Sequence, residues 1–372
     1  MQERTVVKIE GTSNDVASPA VKAGGLIFVS AVTGTSADGK VVGPDIASQT
    51  KQAIERLSGV LNAAGSSLAQ AVSVNVYLKR ASDFEGLNAA YRQSFADKPP
   101  VRTTVVTDLG PDRLIALSAV AVPAGAARET LHPAGWVKSP RPYSYIVRAG
   151  GLVFLSGLVS RRGTDDTAVP GSVSLQTKTI LDNAGVLLKT AGLSYSDVVA
   201  ARVYLTDDSL FEQMNDTYRT YFMEEPPARA TAVTELMGAD SFVEITLIAS
   251  ESGKQVLGPA VSPSLPLSTA VRAGDLLFLS GVLGNTEANA SDLAAQTREV
   301  FTRIRRTLDG AGVSFSHVVD NIVYLNDMWQ QRHVDGVSRE VFPHDPPART
   351  IVGARLVARS ALVEMMMTAA GR

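Results

Sequence analysis

Three arginines each follow a proline pair. They are Arg102 in PPVRTTVV (Pro99–Val106), Arg229 in PPARATAV (Pro226–Val233) and Arg349 in PPARTIVG (Pro346–Gly353). A guanidinium carried on a stiff extended segment suits a carboxylate, because its planar fork can give two parallel N–H bonds. Three serines stand in a comparable way inside apolar runs: Ser30 in VKAGGLIFVSAVTG, Ser156 in VRAGGLVFLSGLVS and Ser280 in VRAGDLLFLSGVLG. Other chemistries are absent. Without a cysteine there is no disulfide, thiolate metal site or cysteine nucleophile. The four histidines, His132, His317, His333 and His344, have no metal-ligand spacing, and no glycine-rich phosphate loop precedes a helix. The expectation is no metal and no cofactor.

The serines are 126 and 124 residues apart and the arginines 127 and 120. Between them recur SQTKQ, LQTKT and AQTRE, then NAAGSSLAQAVSVNVYL, KTAGLSYSDVVAARVYL and DGAGVSFSHVVDNIVYL, always in the same order. A period near 125 residues is too long for a solenoid repeat, so each copy is read as a small domain: 1–127, 128–252 and 253–372. The joints are rich in small residues, Gly and Pro (PAGAARETLHPAG, SESGKQVLGPA).

Within copy 1, Leu26–Val32 is an apolar run of strand length. Asp45–Ala64 carries a helical stripe stopped by Gly65. Ala71–Leu78 alternates as a half-buried strand, and Ser82 is placed to cap a second helix bearing Phe84, Leu87, Tyr91 and Phe95. Val101–Val106 and Leu114–Val122 read as further strands. This order predicts an α+β domain, one mostly antiparallel sheet with both helices on one face. The outer faces still carry many apolar residues, and a closed ring of the three copies would bury them.

The 372 residues carry a net charge of −2, with 45% hydrophobic and 19% charged residues. This composition supports packed cores and argues against a nucleic-acid or anionic-membrane partner, which would want a basic field. The start has no signal-peptide core, and no run approaches 18 apolar residues. A cytoplasmic location and a monomer closing its own ring are the expectations.

The ordered motifs AGGLIFVSAVTG, the AAG turn, VNVYL and PPVRTTVV resemble the RidA/YjgF family, also labelled endoribonuclease L-PSP, in all three copies. The resemblance implies a chorismate-mutase-like fold, an arrangement otherwise made by homotrimers, and ligand clefts between neighbouring subunits. It also implies hydrolysis of reactive enamines and imines to a keto acid and ammonia. The carboxylate-binding arginine would be Arg102, Arg229 and Arg349. The strand-end serine would be Ser30, Ser156 and Ser280, followed by a ligand-facing N–H on Ala31, Gly157 or Gly281. Asn88, Asn215 and Asp335 match the family asparagine, and Thr104, Thr231 and Ile351 the residue two after the arginine. The family tyrosine falls on Ala17, Tyr143 and Leu267, so only the second copy keeps it.

By the same resemblance, the water-positioning glutamate of the last strand falls on Ser118, Thr246 and Met366, so no copy has it. A hydroxyl there can orient water but is no base near neutral pH. Glu244 and Glu364 stand two residues earlier on the same strand face. The expectation is a hydrolase acting on a small nitrogenous carboxylate at inter-domain clefts, with Tyr143, Thr246, Ser118 and Glu244 as catalytic candidates. The alternative is a protein that binds or senses a small carboxylate without turnover. Ribonuclease action fits least, for want of a basic–aromatic surface pattern. Copy 3, with Ile351, Met366, Leu267 and Asp335, has diverged most, so its arginine should matter least.

Overall fold

The motif SQTKQ and its two counterparts open helices of 18 residues, Ile46–Ala63, Val173–Thr190 and Leu293–Gly310. Each is capped by a side chain that accepts a backbone N–H: Asp45 from Ser48, Ser172 from Leu175, Asp292 from Ala295. The buried glutamine of each motif anchors its helix to the last strand. Gln49 Oε1 accepts from Leu114 N–H, Gln176 Oε1 from Phe242 N–H and Gln296 Oε1 from Leu362 N–H. These observations come from a computed structural model that describes residues 4–9, 15–36, 38–260 and 265–371.

Second helices follow at Phe84–Ser94, Phe211–Arg219 and Gln331–Val341. Ser82 does not cap the first of them. It lies inside a 3-10 turn, Ala81–Asp83, whose last residue leads into the helix without a side-chain cap.

Three sheets result. In the first, the order is Thr5–Val7, Ala20–Ala23, Leu26–Thr33, Ile115–Ala121, Ala71–Leu78, Val101–Val106, with only the last pair parallel. The other two repeat this plan. Domain 3 also lends a short strand, Arg355–Leu356, to the edge of the second sheet beside Ala232 and Val233. Bridges Val106–Glu235 and Asp108–Gly353 complete a cycle, in which each domain pairs with both others at or just beyond the end of its arginine strand.

Ala71–Leu78 is buried along its whole length rather than on alternate residues. One face, with Val74, Val76 and Leu78, packs under the domain's own helices. The other, with Val72 and Tyr77, joins a core shared by all three domains, where Phe28, Phe154 and Phe278 meet. The three α+β domains thus form an intramolecular pseudo-trimer around one axis, and its clefts lie where one domain's arginine strand meets the next domain's serine strand.

Candidate functional site

The proline pairs and the serines assemble these joints. Ser144 of domain 2 gives its N–H to Pro100 C=O and its hydroxyl to Pro99 C=O of domain 1. Ser268 does the same with Pro227 and Pro226, and Ser18 with Pro347 and Pro346. One step further in, Ser156 Oγ accepts from Arg102 N–H (3.0 Å) and donates to Ser144 C=O (2.8 Å). Ser280 links Arg229 N–H to Ser268 C=O, and Ser30 links Arg349 N–H to Ser18 C=O. A hydroxyl has one proton to give, and here the backbone receives it. The three serines stitch the domains together and have no donor left for a ligand. The N–H of Gly157 is spent as well, on Arg102 C=O (3.0 Å), and that of Gly281 on Arg229 C=O. These five residues do not present the ligand-facing groups expected of them.

The first cleft takes Arg102, Asn88 and Thr104 from domain 1 and Tyr143, Gly157 and Glu244 from domain 2. Arg102, 4% exposed, holds Asn88 Oδ1 through Nη2 at 2.8 Å, while its Nη1 is buried without a partner. Its Cζ stands 5.2 Å from the Tyr91 ring centroid, 5.6 Å from Phe84 and 5.8 Å from Tyr143. Arg102, Thr104, Tyr143, Gly157 and Glu244 line one cavity of about 100 Å³, whose lining also includes Arg141 and Arg161. Burial raises the Tyr143 phenol above its ordinary pKa, so it remains a proton donor.

At the second joint Arg229, Asn215 and Thr231 of domain 2 and Gly281 and Glu364 of domain 3 take the corresponding places. Arg229 is 1% exposed, bonds Asn215 Oδ1 at 2.7 Å, and leaves Nε and Nη1 unpaired. Phe211 and Tyr218 flank it, at 5.9 and 4.8 Å. Buried donors without partners are costly to keep, and two arginines held this way are suited to an incoming anion.

The carboxylate that the resemblance put on Thr246 and Met366 stands instead at Glu244 and Glu364. Thr246 and Ser118 do not enter a cleft; both line a separate cavity on the axis, where Thr246 Oγ1 meets Thr103 Oγ1 at 2.8 Å. Glu244 is 4% exposed and accepts the N–H of Thr104, and Glu364 accepts that of Thr231. Burial pushes both carboxyls up to about 8, against the weaker opposing pull of Arg102 and Arg229 respectively. Neither glutamate forms an ion pair with its arginine, although both groups face the same joint.

A signal for this was present in the sequence. A Cβ on Gly157 would lie 2.0 Å from Glu244 Oε1, and one on Gly281 1.8 Å from Glu364 Oε1. Where the glutamate is present, the residue after the serine is glycine. In domain 1 the glutamate position is Ala116, and that residue is Ala31.

The third cleft, between domains 3 and 1, therefore has no counterpart of Glu244 or Glu364. Its arginine is also engaged: the buried Arg349 has Nη1 2.7 Å from Oδ1 of the partly buried Asp335. Ser338 and Gln331 replace the aromatic pair that flanks the other two arginines, and Ala17 replaces the tyrosine. Among the described residues no group of three metal-binding side chains occurs, and no helix is long and apolar enough to cross a membrane.

Comparison with known proteins agrees with this threefold build. The family model for endoribonuclease L-PSP matches residues 14–123, 137–251 and 258–371. A RutC family protein of Sulfurisphaera tokodaii is 35% identical over 117 residues, covering 31% of this chain and 94% of its own. The 2-iminobutanoate/2-iminopropanoate deaminase of Bos taurus is 36% identical over 124 residues, covering 33% of this chain and 86% of its own. A chorismatase crystal structure overlays 81% of this chain and 93% of its own with a TM-score of 0.56 and 14% identity, a likeness of fold.

Proposed function

The chain belongs to the endoribonuclease L-PSP family, in three tandem copies, and on that footing we propose that it hydrolyses the C=N bond of a small imino acid, or its enamine tautomer, in the first and second clefts. One observation carries the reading. In these two clefts a buried arginine with unpaired donors faces the same joint as a buried carboxyl from the next domain, and the two are not ion-paired. The third has lost the carboxyl and spends its arginine on Asp335.

The chemistry follows from those groups. Arg102 or Arg229 takes the substrate carboxylate, with its guanidinium oriented by Asn88 or Asn215. A glutamate titrating near 8 is mostly protonated at pH 7, so it begins as the acid. Glu244 gives its proton to the imine nitrogen, which makes the carbon electrophilic. The carboxylate so formed takes a proton from water as the water oxygen bonds to that carbon. Glu244, protonated again, gives a proton to the amine, and the carbinolamine collapses to the keto acid as ammonia leaves and the hydroxyl proton returns to the carboxylate. The balance is one imino acid and one water to one keto acid and one ammonia. In the first cleft the Tyr143 hydroxyl is placed to hold the substrate, and its ring to cover the apolar part. A binder without turnover would need the arginines alone; the glutamates favour turnover. All three clefts close within one chain, so the working unit is a monomer of 39.3 kDa, which light scattering checks.

The test is ammonia release from 2-iminopropanoate and 2-iminobutanoate generated in situ. Glu244→Gln with Glu364→Gln should lower turnover by about 10²–10⁴-fold. Arg102→Ala with Arg229→Ala should weaken a carboxylate ligand about 10- to 150-fold, whereas Arg349→Ala should change little. Equal effects at all three arginines, or full turnover without both glutamates, would refute the reading.

A further inference from the structure

A cavity of about 70 Å³ lies on the pseudo-threefold axis, away from the arginine clefts. Strand register shows its walls as layers. Two residues along the strands from Asn75, Arg202 and Ile322 stand three buried tyrosines, Tyr77, Tyr204 and Tyr324, with the hydroxyls of the last two 2.9 Å apart. On the opposite side is a layer of buried leucines, Leu26, Leu152 and Leu276. Two layers between them face the cavity. The first pairs Asn75 with Ser118, Arg202 with Thr246 and Ile322 with Met366. The second brings Ser73, Ala200 and Asp320 beside Phe28, Phe154 and Phe278.

The tyrosine, phenylalanine and leucine layers are alike in all three domains, and the polar positions are not. A symmetric trimer with arginine at the Arg202 position would crowd three guanidiniums around one axis, and aspartate at the Asp320 position would crowd three carboxylates. The single chain escapes this repulsion and carries one of each. Arg202 is 9% exposed and gives one N–H to Asn75 Oδ1 at 2.8 Å. Asp320 lines the same cavity one layer away, and no ion pair joins the two. Two residues of strand offset the layers by roughly 7 Å along the axis, and with no direct ion pair between them the two groups offer opposite charges to a small molecule charged at both ends. Holding a buried cation and a partly buried anion without a direct ion pair between them is costly.

We propose that this axial cavity is a second binding site, for a zwitterion of two or three carbons such as a simple α-amino acid, with the carboxylate held by Arg202 and the ammonium by Asp320. The side-chain amide of Asn75 and the hydroxyls of Ser118 and Thr246 surround the carboxylate end, and the phenylalanine layer closes around the carbon end. At about 70 Å³ the cavity is well above the minimum needed for a single water, which limits an occupant to a few heavy atoms. Burial raises the Asp320 carboxyl to about 7, and an ammonium beside it would favour the ionised form.

The experiment uses the full chain carrying Arg102→Ala and Arg229→Ala, so that the clefts cannot account for binding. Glycine, acetate and methylammonium are titrated calorimetrically after overnight equilibration. Glycine should bind, and both Arg202→Met and Asp320→Asn should weaken it about 10- to 100-fold. Acetate binding should be lost with Arg202→Met and kept with Asp320→Asn. Methylammonium should show the opposite pattern. Asp320→Asn preserves shape, so it decides the matter alone if Arg202→Met fails to fold. No glycine binding, or glycine affinity unchanged by Asp320→Asn, would overturn the proposal and leave the cavity as a water site.

Discussion

Replacing Gly157 by alanine adds one methyl group at the most crowded point of the first cleft. The new Cβ would stand 2.0 Å from Glu244 Oε1, 3.0 Å from its Cδ and 3.2 Å from Thr103 Cα. The backbone neighbour cannot retreat, because Gly157 N–H is bonded to Arg102 C=O across the joint. The carboxyl must therefore swing away and surrender the Thr104 N–H. Overpacking of this kind costs about 1–3 kcal/mol, and a lost hydrogen bond about 1 kcal/mol, so destabilisation of about 2–4 kcal/mol is expected. In a chain whose second cleft is silenced by Arg229→Ala, imine hydrolysis should fall about 10²–10⁴-fold, as if the general acid were removed. Glu244→Ala supplies the control. In that background Gly157→Ala should cost under ~1 kcal/mol, since domain 1 already pairs Ala31 with Ala116. Urea unfolding of the four chains gives the coupling energy. Gly157→Ala with unchanged turnover, or a coupling near zero, would refute the placement of the carboxyl and the mechanism built on it.

Tyr143→Phe keeps the ring beside Arg102 and removes only the hydroxyl. Turnover or affinity in the first cleft should fall with little change in melting temperature; loss of stability with full activity would make Tyr143 a packing residue. The two glutamates also set a pH dependence of folding. Their folded pKa values lie above the unfolded one, so the native state binds more protons between about pH 4.5 and 8, and stability falls as pH rises through that window. Asp320 adds to the same slope, up to about 7. Glu244→Gln with Glu364→Gln should flatten the decline in melting temperature from pH 5 to 8, and an unchanged slope would count against buried protonated carboxyls.

Patterns that repeat within one domain were legible in the chain. The bounds of Ala71–Leu78 and of the run Val101–Val106 are those of strands, and Asp335, which aligns with Asn88 and Asn215, bonds Arg349 as they bond Arg102 and Arg229. What periodicity could not show was which same-face residue of the last strand enters a cleft. Glu244 and Thr246 share a face, two residues apart, yet the neighbouring arginine strand covers the first and the axis takes the second. The role of the serines is likewise set outside their own domain. Their recurrence reflects a need to satisfy an N–H on another domain, and that partner is 51 to 319 residues away in sequence. Ser82 followed a local capping rule that the intervening 3-10 turn displaced.

The serine stitch at the third joint has a thermodynamic consequence of its own. Ser156 and Ser280 reach their arginines across 54 and 51 residues, but Ser30 reaches Arg349 across 319. For a featureless chain the longer closure adds only about 1.6 kcal/mol of lost entropy, and the first two joints reduce it further by bringing the ends together. Three separate subunits making the same ring would face a mass-action penalty that deepens with dilution. Here each domain meets its neighbours at a local concentration set by the chain. The ring, and the two clefts that need two domains each, should therefore persist at dilutions at which separate subunits would come apart.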